Sequence, residues 1–137
     1  MTDVLAAFAA VFVTLYVAHL WADHWLQTDW EAKTKGEPGW RGWLACTAHC
    51  AGYTATAVVA LVGLHVATGW TPDLVAAAVG LGISGGTHYV IDRRVHLRRL
   101  ADFLGKDKDW LERGGGLYAL DQSAHVAFLF VAALVIA

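Results

Sequence analysis

Four stretches of this chain are each long and apolar enough to cross the roughly 30 Å hydrocarbon core of a bilayer, which takes about 20 helical residues. They run approximately from Val4 to Trp25, Trp43 to Ala67, Pro72 to Ile91 and Leu117 to Ala137. With 57% apolar and only 16% charged residues, the composition lies outside the usual range of soluble domains. The expected fold is all-α: an integral membrane four-helix bundle, with residues 1–137 forming a single four-span domain. The segment before the first span holds Asp3 and no Lys or Arg, so it lacks the basic region of a secretory signal peptide and is expected to be retained.

The net charge of −2 says little, but its distribution says more. Every Lys and Arg falls in one of two connections: Lys33, Lys35 and Arg41 in one, and Arg93, Arg94, Arg98, Arg99, Lys106, Lys108 and Arg113 in the other. By the positive-inside tendency these two basic loops face the cytoplasm and both termini lie outside. The outer turn then falls at Gly69 and Pro72. Trp25, Trp30, Trp40, Trp43 and Trp70 lie near span ends, where tryptophans anchor helices at the interface. The run GLGISGG, residues 80–86, puts small residues inside the third span, suited to close helix packing or a kink.

Ionisable residues at membrane depth are costly, roughly 2.5–3.5 kcal/mol for a central Asp, so each needs a partner or a purpose. His19, Asp23 and Gln27 are spaced by four, along one side of the first helix. His88 and Asp92 repeat that spacing at the end of the third span, and Asp121 and His125 reverse it at the start of the fourth. His49 sits in the first turns of the second span, with Tyr53 four residues on. Alternating spans bring all four groups to the same cytoplasmic depth.

Imidazole and carboxylate together suit a divalent transition metal, zinc first, with manganese or iron as alternatives. The expected ligands are His19, Asp23, His49, His88, Asp92, Asp121 and His125, enough for one ion with acid/base groups around it or for two ions. Asp23, Asp92 and Asp121 double as candidate catalytic acid/base groups, while Gln27, Gln122 and Asp29 are candidates to orient water, substrate or ligands. The same residues could instead form a structural knot of His–Asp pairs or a proton or ion pathway. His24 and His65 read as interfacial and structural. Cys46 and Cys50, four apart on one helix, are poorly placed for a disulfide and suit small apolar filling.

The segments AHLWADHWLQTDWEAKTKG, AHCAGYT, THYVIDRRVH and LDQSAHV resemble the successive motifs of a small bacterial and phage membrane-protein family, domain-of-unknown-function family 3307. The resemblance covers nearly the whole chain. It implies an integral membrane fold and suggests His19, Asp23, Gln27, Asp29, Lys35, His49, His88, Asp92, Asp121, Gln122 and His125 as shared polar positions. THYVID alone is also similar to an H-x-x-x-D element of the membrane-bound metal-dependent hydrolases. That shorter likeness favours hydrolysis.

A metal site at the cytoplasmic interface suits an amphiphile, and the expected function is a membrane-embedded metal-dependent hydrolase acting on a phospholipid or polyprenyl-phosphate-like lipid. Arg93, Arg94 and Lys35 are candidates for the phosphate head group, although the arginines also suffice to set topology and touch anionic lipid. Membrane lipid is the expected partner, and nucleic acid is not. A proton- or metal-coupled transporter and a non-enzymatic phage or accessory membrane protein are the competing expectations. Residues 101–116 could lie on the membrane surface as a partner element or cover the site as a lid.

Overall fold

The structure, a computed structural model, describes residues 2–137, and among them every regular element is helical. Four long helices form the bundle: α1 (Thr2–Trp21), α3 (Trp40–Thr68), α4 (Leu74–Asp92) and α7 (Gly116–Ile136). Short helices α2 (Asp29–Thr34), α5 (Val95–Phe103) and α6 (Lys108–Glu112) lie in the two basic connections. All four long helices have the length and apolar content to cross a membrane. Each packs against two antiparallel neighbours: α1 against α3 and α7, and α4 against the same two. The result is an up-down-up-down square with α1 opposite α4.

In one half of the bundle the interior is apolar. Val11, Leu15, Ala57, Leu61, Leu129, Ala132, Ala133 and Ile136 are buried together there, with Phe8 meeting Phe130 edge-on at 5.2 Å. The outer faces are equally apolar, with Val13, Val59, Val66, Val75 and Leu134 exposed. Lipid is as apolar as Leu, so shape and close approach decide which face turns inward. Gly80 supplies such an approach, since a Cβ there would collide with the Ile136 side chain of α7. Gly82 and Gly86 meet no neighbour, and α4 continues through the glycine run to Asp92.

The connections are built by local chemistry. Thr28 and Glu31 form a capping box that starts α2, Thr28 donating its backbone N–H to Glu31 at 2.8 Å. Asp73 caps α4 by accepting from the N–H groups of Val75 and Ala76. Gly69, with φ +73°, ends α3 at the expected turn.

Two elements differ from the sequence-based expectation. The first span does not continue as α-helix to Trp25, because residues Ala22–Leu26 form a π turn. Asp23 lies in that widened turn and Gln27 beyond it in extended backbone, so His19, Asp23 and Gln27 do not share one regular helical face. The amphipathic stretch expected from residue 101 begins earlier, at Val95, and breaks at Gly105 (φ +65°) into α5 and α6.

Candidate metal centre

α1 and α4 end, and α3 and α7 begin, at the same end of the bundle, so the antiparallel square delivers polar side chains to one level. His19, His49, His88, Asp92, Asp121 and His125 are all buried there, and Asp23 joins them from the π turn. The expected seven residues therefore converge from all four long helices.

Nε2 of His49 and Nε2 of His88 lie 3.0 Å apart. Oδ1 of Asp23 stands 3.2 and 3.5 Å from these two nitrogens, and Oδ2 of Asp92 stands 3.3 and 3.2 Å from them. Ligands held at about 2.0–2.2 Å by a tetrahedral zinc ion are separated from one another by about 3.3–3.6 Å. Two of these five separations fall in that range and the other three lie 0.1–0.3 Å below it. Oδ1 of Asp23 and Oδ2 of Asp92 are buried yet accept no hydrogen bond, so the imidazoles aim beside the carboxylate oxygens rather than at them. The two Nε2 atoms also meet hydrogen-bond geometry with each other, and Asp23, His49 and His88 form a group of nitrogen and oxygen donors close enough together to hold a metal ion.

A second set adjoins the first through Asp92. Its Oδ1 lies 3.6 Å from Nε2 of His125, which is 3.8 Å from Oδ2 of Asp121. Nε2 of His125 and Oδ1 of Asp121 are also buried without a hydrogen-bond partner. His19 stands between the sets, its Nε2 being 3.7 Å from Oδ2 of Asp23 and 3.3 Å from Oε1 of Gln122. Gln122 in turn reaches Asp23 and Asp121 with Nε2, at 3.5 Å each.

Lys35 enters the same centre. The loop after α2 folds inward, and its ammonium meets Oδ1 of Asp92 at 2.7 Å with both side chains buried. Arg93 holds that loop in place, donating from Nη1 to the carbonyl of Lys35 and from Nη2 to that of Glu37, each at 2.7 Å. Gly42 permits this clasp, since a Cβ there would strike the Glu37 carbonyl and crowd Nη1 of Arg93. Of the three candidate head-group residues, then, Lys35 lies inside the cluster, Arg93 grips backbone, and Arg94 stands apart beside α5.

The remaining candidates separate by location. Gln27 lines a small cavity of about 40 Å³ beside His49, with Glu31, Gly52 and Tyr53, and its Nε2 is buried without a partner. Asp29, by contrast, is 96% exposed and pairs only with Lys33, so it does not support the cluster. His24 bonds Tyr118 at 2.9 Å on the exposed rim. His65, near the far end of the bundle, donates from Nδ1 to the Trp70 carbonyl. Cys46 and Cys50 are unbridged and buried, and Cys46 lies against the Tyr89 carbonyl.

One buried contact was not anticipated. Tyr53 stacks on His88 with ring centres 4.2 Å apart, and its hydroxyl bonds Ser84. Ser84 precedes His88 by one helical turn, the same interval that marks the other site residues, so the spacing carried the signal although a lone serine drew no attention.

A family model described as "Protein of unknown function (DUF3307)" matches residues 11–137. No curated protein and no solved structure matches the chain.

Proposed function

For a chain that belongs to the DUF3307 family, whose description assigns no activity, we propose a membrane-embedded, metal-binding protein that acts as a hydrolase at the membrane interface. The observation that carries this reading is the convergence of His49, His88, Asp23 and Asp92 at ligand-to-ligand distances of 3.0–3.5 Å, with buried carboxylate oxygens left without hydrogen bonds.

Charge supports one resident divalent ion. Three aspartates and Lys35 sum to −2 when the four histidines are neutral, and buried charge needs compensation. Zinc fits the nitrogen and oxygen donors best, with manganese or iron as alternatives. Asp121 and His125 are then free to act as acid/base groups or to receive a second ion when an anionic substrate adds negative charge. When bound, a divalent ion would supply Lewis acidity and lower the pKa of a coordinated water. The protein groups would hold and exclude: Gln122 is placed to orient a polar ligand between Asp23 and Asp121, and the cavity beside Gln27 and His49 has room for a water.

The proposed setting is the inner membrane of a bacterium, with the site and both basic loops toward the cytoplasm and the termini outside. The apolar half of the bundle argues against a transport path, since the described interior beyond Tyr53 offers no polar relay. A structural network is the competing reading, and the buried Lys35–Asp92 ion pair is the observation that favours it. Elemental analysis of detergent-purified protein decides between them. About one divalent ion per chain, lost in both His88→Ala and Asp23→Ala, is the expected result; absence of metal, with melting unchanged by chelator, overturns the proposal.

A further inference from the structure

Beside the metal centre, at the same end of the bundle, a second cavity of about 390 Å³ opens between α5, α6 and the start of α7. Its wall includes Arg94, Arg98, Glu112, Gly115, Leu117 and Tyr118. The volume is within the range of small-ligand pockets, about 300–1,000 Å³. Polar and apolar groups share the lining, as an amphiphile's head and first carbons would require.

Arg94 is unusual in two ways. It is the single non-glycine residue with positive φ among those described, at +59°, a conformation that costs about 1–3 kcal/mol for a side chain of this type. Its Nε is also buried without a hydrogen-bond partner. Arg94 lines the cavity, and among the described residues no hydrogen bond or ion pair engages its guanidinium. Arg98, one turn on, lines the same space, and its only described carboxylate partner is Glu112 at 3.8 Å in an exposed and therefore weak pair.

The far wall is the first turn of α7, whose N-cap Gly115 supplies no side-chain cap. Trp110 is pressed on this turn, where a Cβ at Gly116 would collide with the indole ring. Asp121 lies on the same helix, about 8 Å further along by helical rise.

We infer that this cavity holds the phosphate head group of a membrane lipid, gripped by Arg94 and Arg98 against the start of α7. Lys35 and Arg93 are committed elsewhere, to Asp92 and to loop carbonyls, which leaves Arg94 and Arg98 as the guanidinium groups lining this cavity. The inference deepens the hydrolase proposal by naming the substrate's anionic end, but it depends only on the membrane setting and not on the ion.

The test uses purified protein in phosphatidylcholine nanodiscs with and without phosphatidic acid, read by thermal melting, with inorganic phosphate as a separate arm and metal content measured in parallel. Phosphatidic acid is expected to raise the melting midpoint of the wild type. The double variant Arg94→Asn with Arg98→Gln should lose about tenfold or more in apparent affinity, with metal content unchanged. Asn at position 94 retains tolerance for positive φ. Arg98→Gln alone, at an exposed position, should lose affinity part-way, and Arg99→Gln, outside the cavity, should lose none. Equal protection by phosphatidylcholine, full protection in the Arg98→Gln variant, or equal loss in Arg99→Gln overturns the inference. Protection by inorganic phosphate matching that of the lipid reassigns the cavity to free phosphate and overturns the lipid assignment. Because metal is measured separately, a protein without metal that still selects phosphatidic acid would defeat the hydrolase reading and leave this one standing.

Discussion

Asp92 is the hinge of the centre: one carboxylate oxygen faces His49 and His88, the other faces His125 and carries the ammonium of Lys35. Removing its charge strands a buried cation, which typically costs about 3–5 kcal/mol. Asp92→Asn should therefore lower the melting temperature sharply, and adding Lys35→Met should restore much of the loss while metal stays absent; a double variant no more stable than the single one would refute the pairing. Acid should act through the imidazoles. A protonated ring cannot bind metal, so bound metal is expected to be released progressively as the pH is lowered, which dialysis at stepped pH with elemental analysis would follow. The seven His and Asp positions were legible in the sequence because helical spacing repeats at four residues and hydropathy sets their depth. The role of Lys35 was not, since it arrives from a loop whose path depends on Arg93 reaching two backbone carbonyls across 56 to 58 residues of chain.

Helix ends do most of the positioning. The π turn at Ala22–Leu26 inserts an extra residue into the last turn of the first span and sets Asp23 against His49 and His88. Single-turn π bulges are frequent at functional sites, yet hydropathy cannot reveal one because it changes register without changing composition. That is why the regular line from His19 through Gln27 was expected and not found. Gly42 is the matching constraint on α3. Gly42→Ala forces a Cβ into the Glu37 carbonyl and should cost about 1–3 kcal/mol by overpacking, with a parallel loss of metal affinity as Lys35 and its loop shift; an alanine variant with unchanged melting and metal content would contradict the clasp. At the α4–α5 junction, Arg94→Gly relieves the positive φ and is expected to raise the melting temperature by a few degrees in lipid lacking phosphate monoesters, checked by melting in phosphatidylcholine nanodiscs.

Seen as a single body, the molecule has one polar end and one apolar end, with nine of the ten Lys and Arg residues in the two connections at the polar end and Arg41 in the first turn of α3 beside them. The four spans were readable from hydropathy alone, whereas the order of helices around the square depends on small contacts such as Gly80 against Ile136 that no single-helix pattern encodes. The proposed orientation is open to labelling in cells of a cysteine-free background: Lys106→Cys should react only with reagents that enter the cytoplasm, and Thr71→Cys with impermeant reagents outside; the reverse pattern would invert the topology. The placement of every cluster residue at the ends of α1 and α4 or the beginnings of α3 and α7 also bears on how the chain enters a bilayer. In the proposed orientation, α1, the α3–α4 hairpin and α7 would each lead into the hydrocarbon with the apolar half of the bundle. None of the three clustered aspartates would have to be carried through, so the centre would assemble on the side where its charges already are.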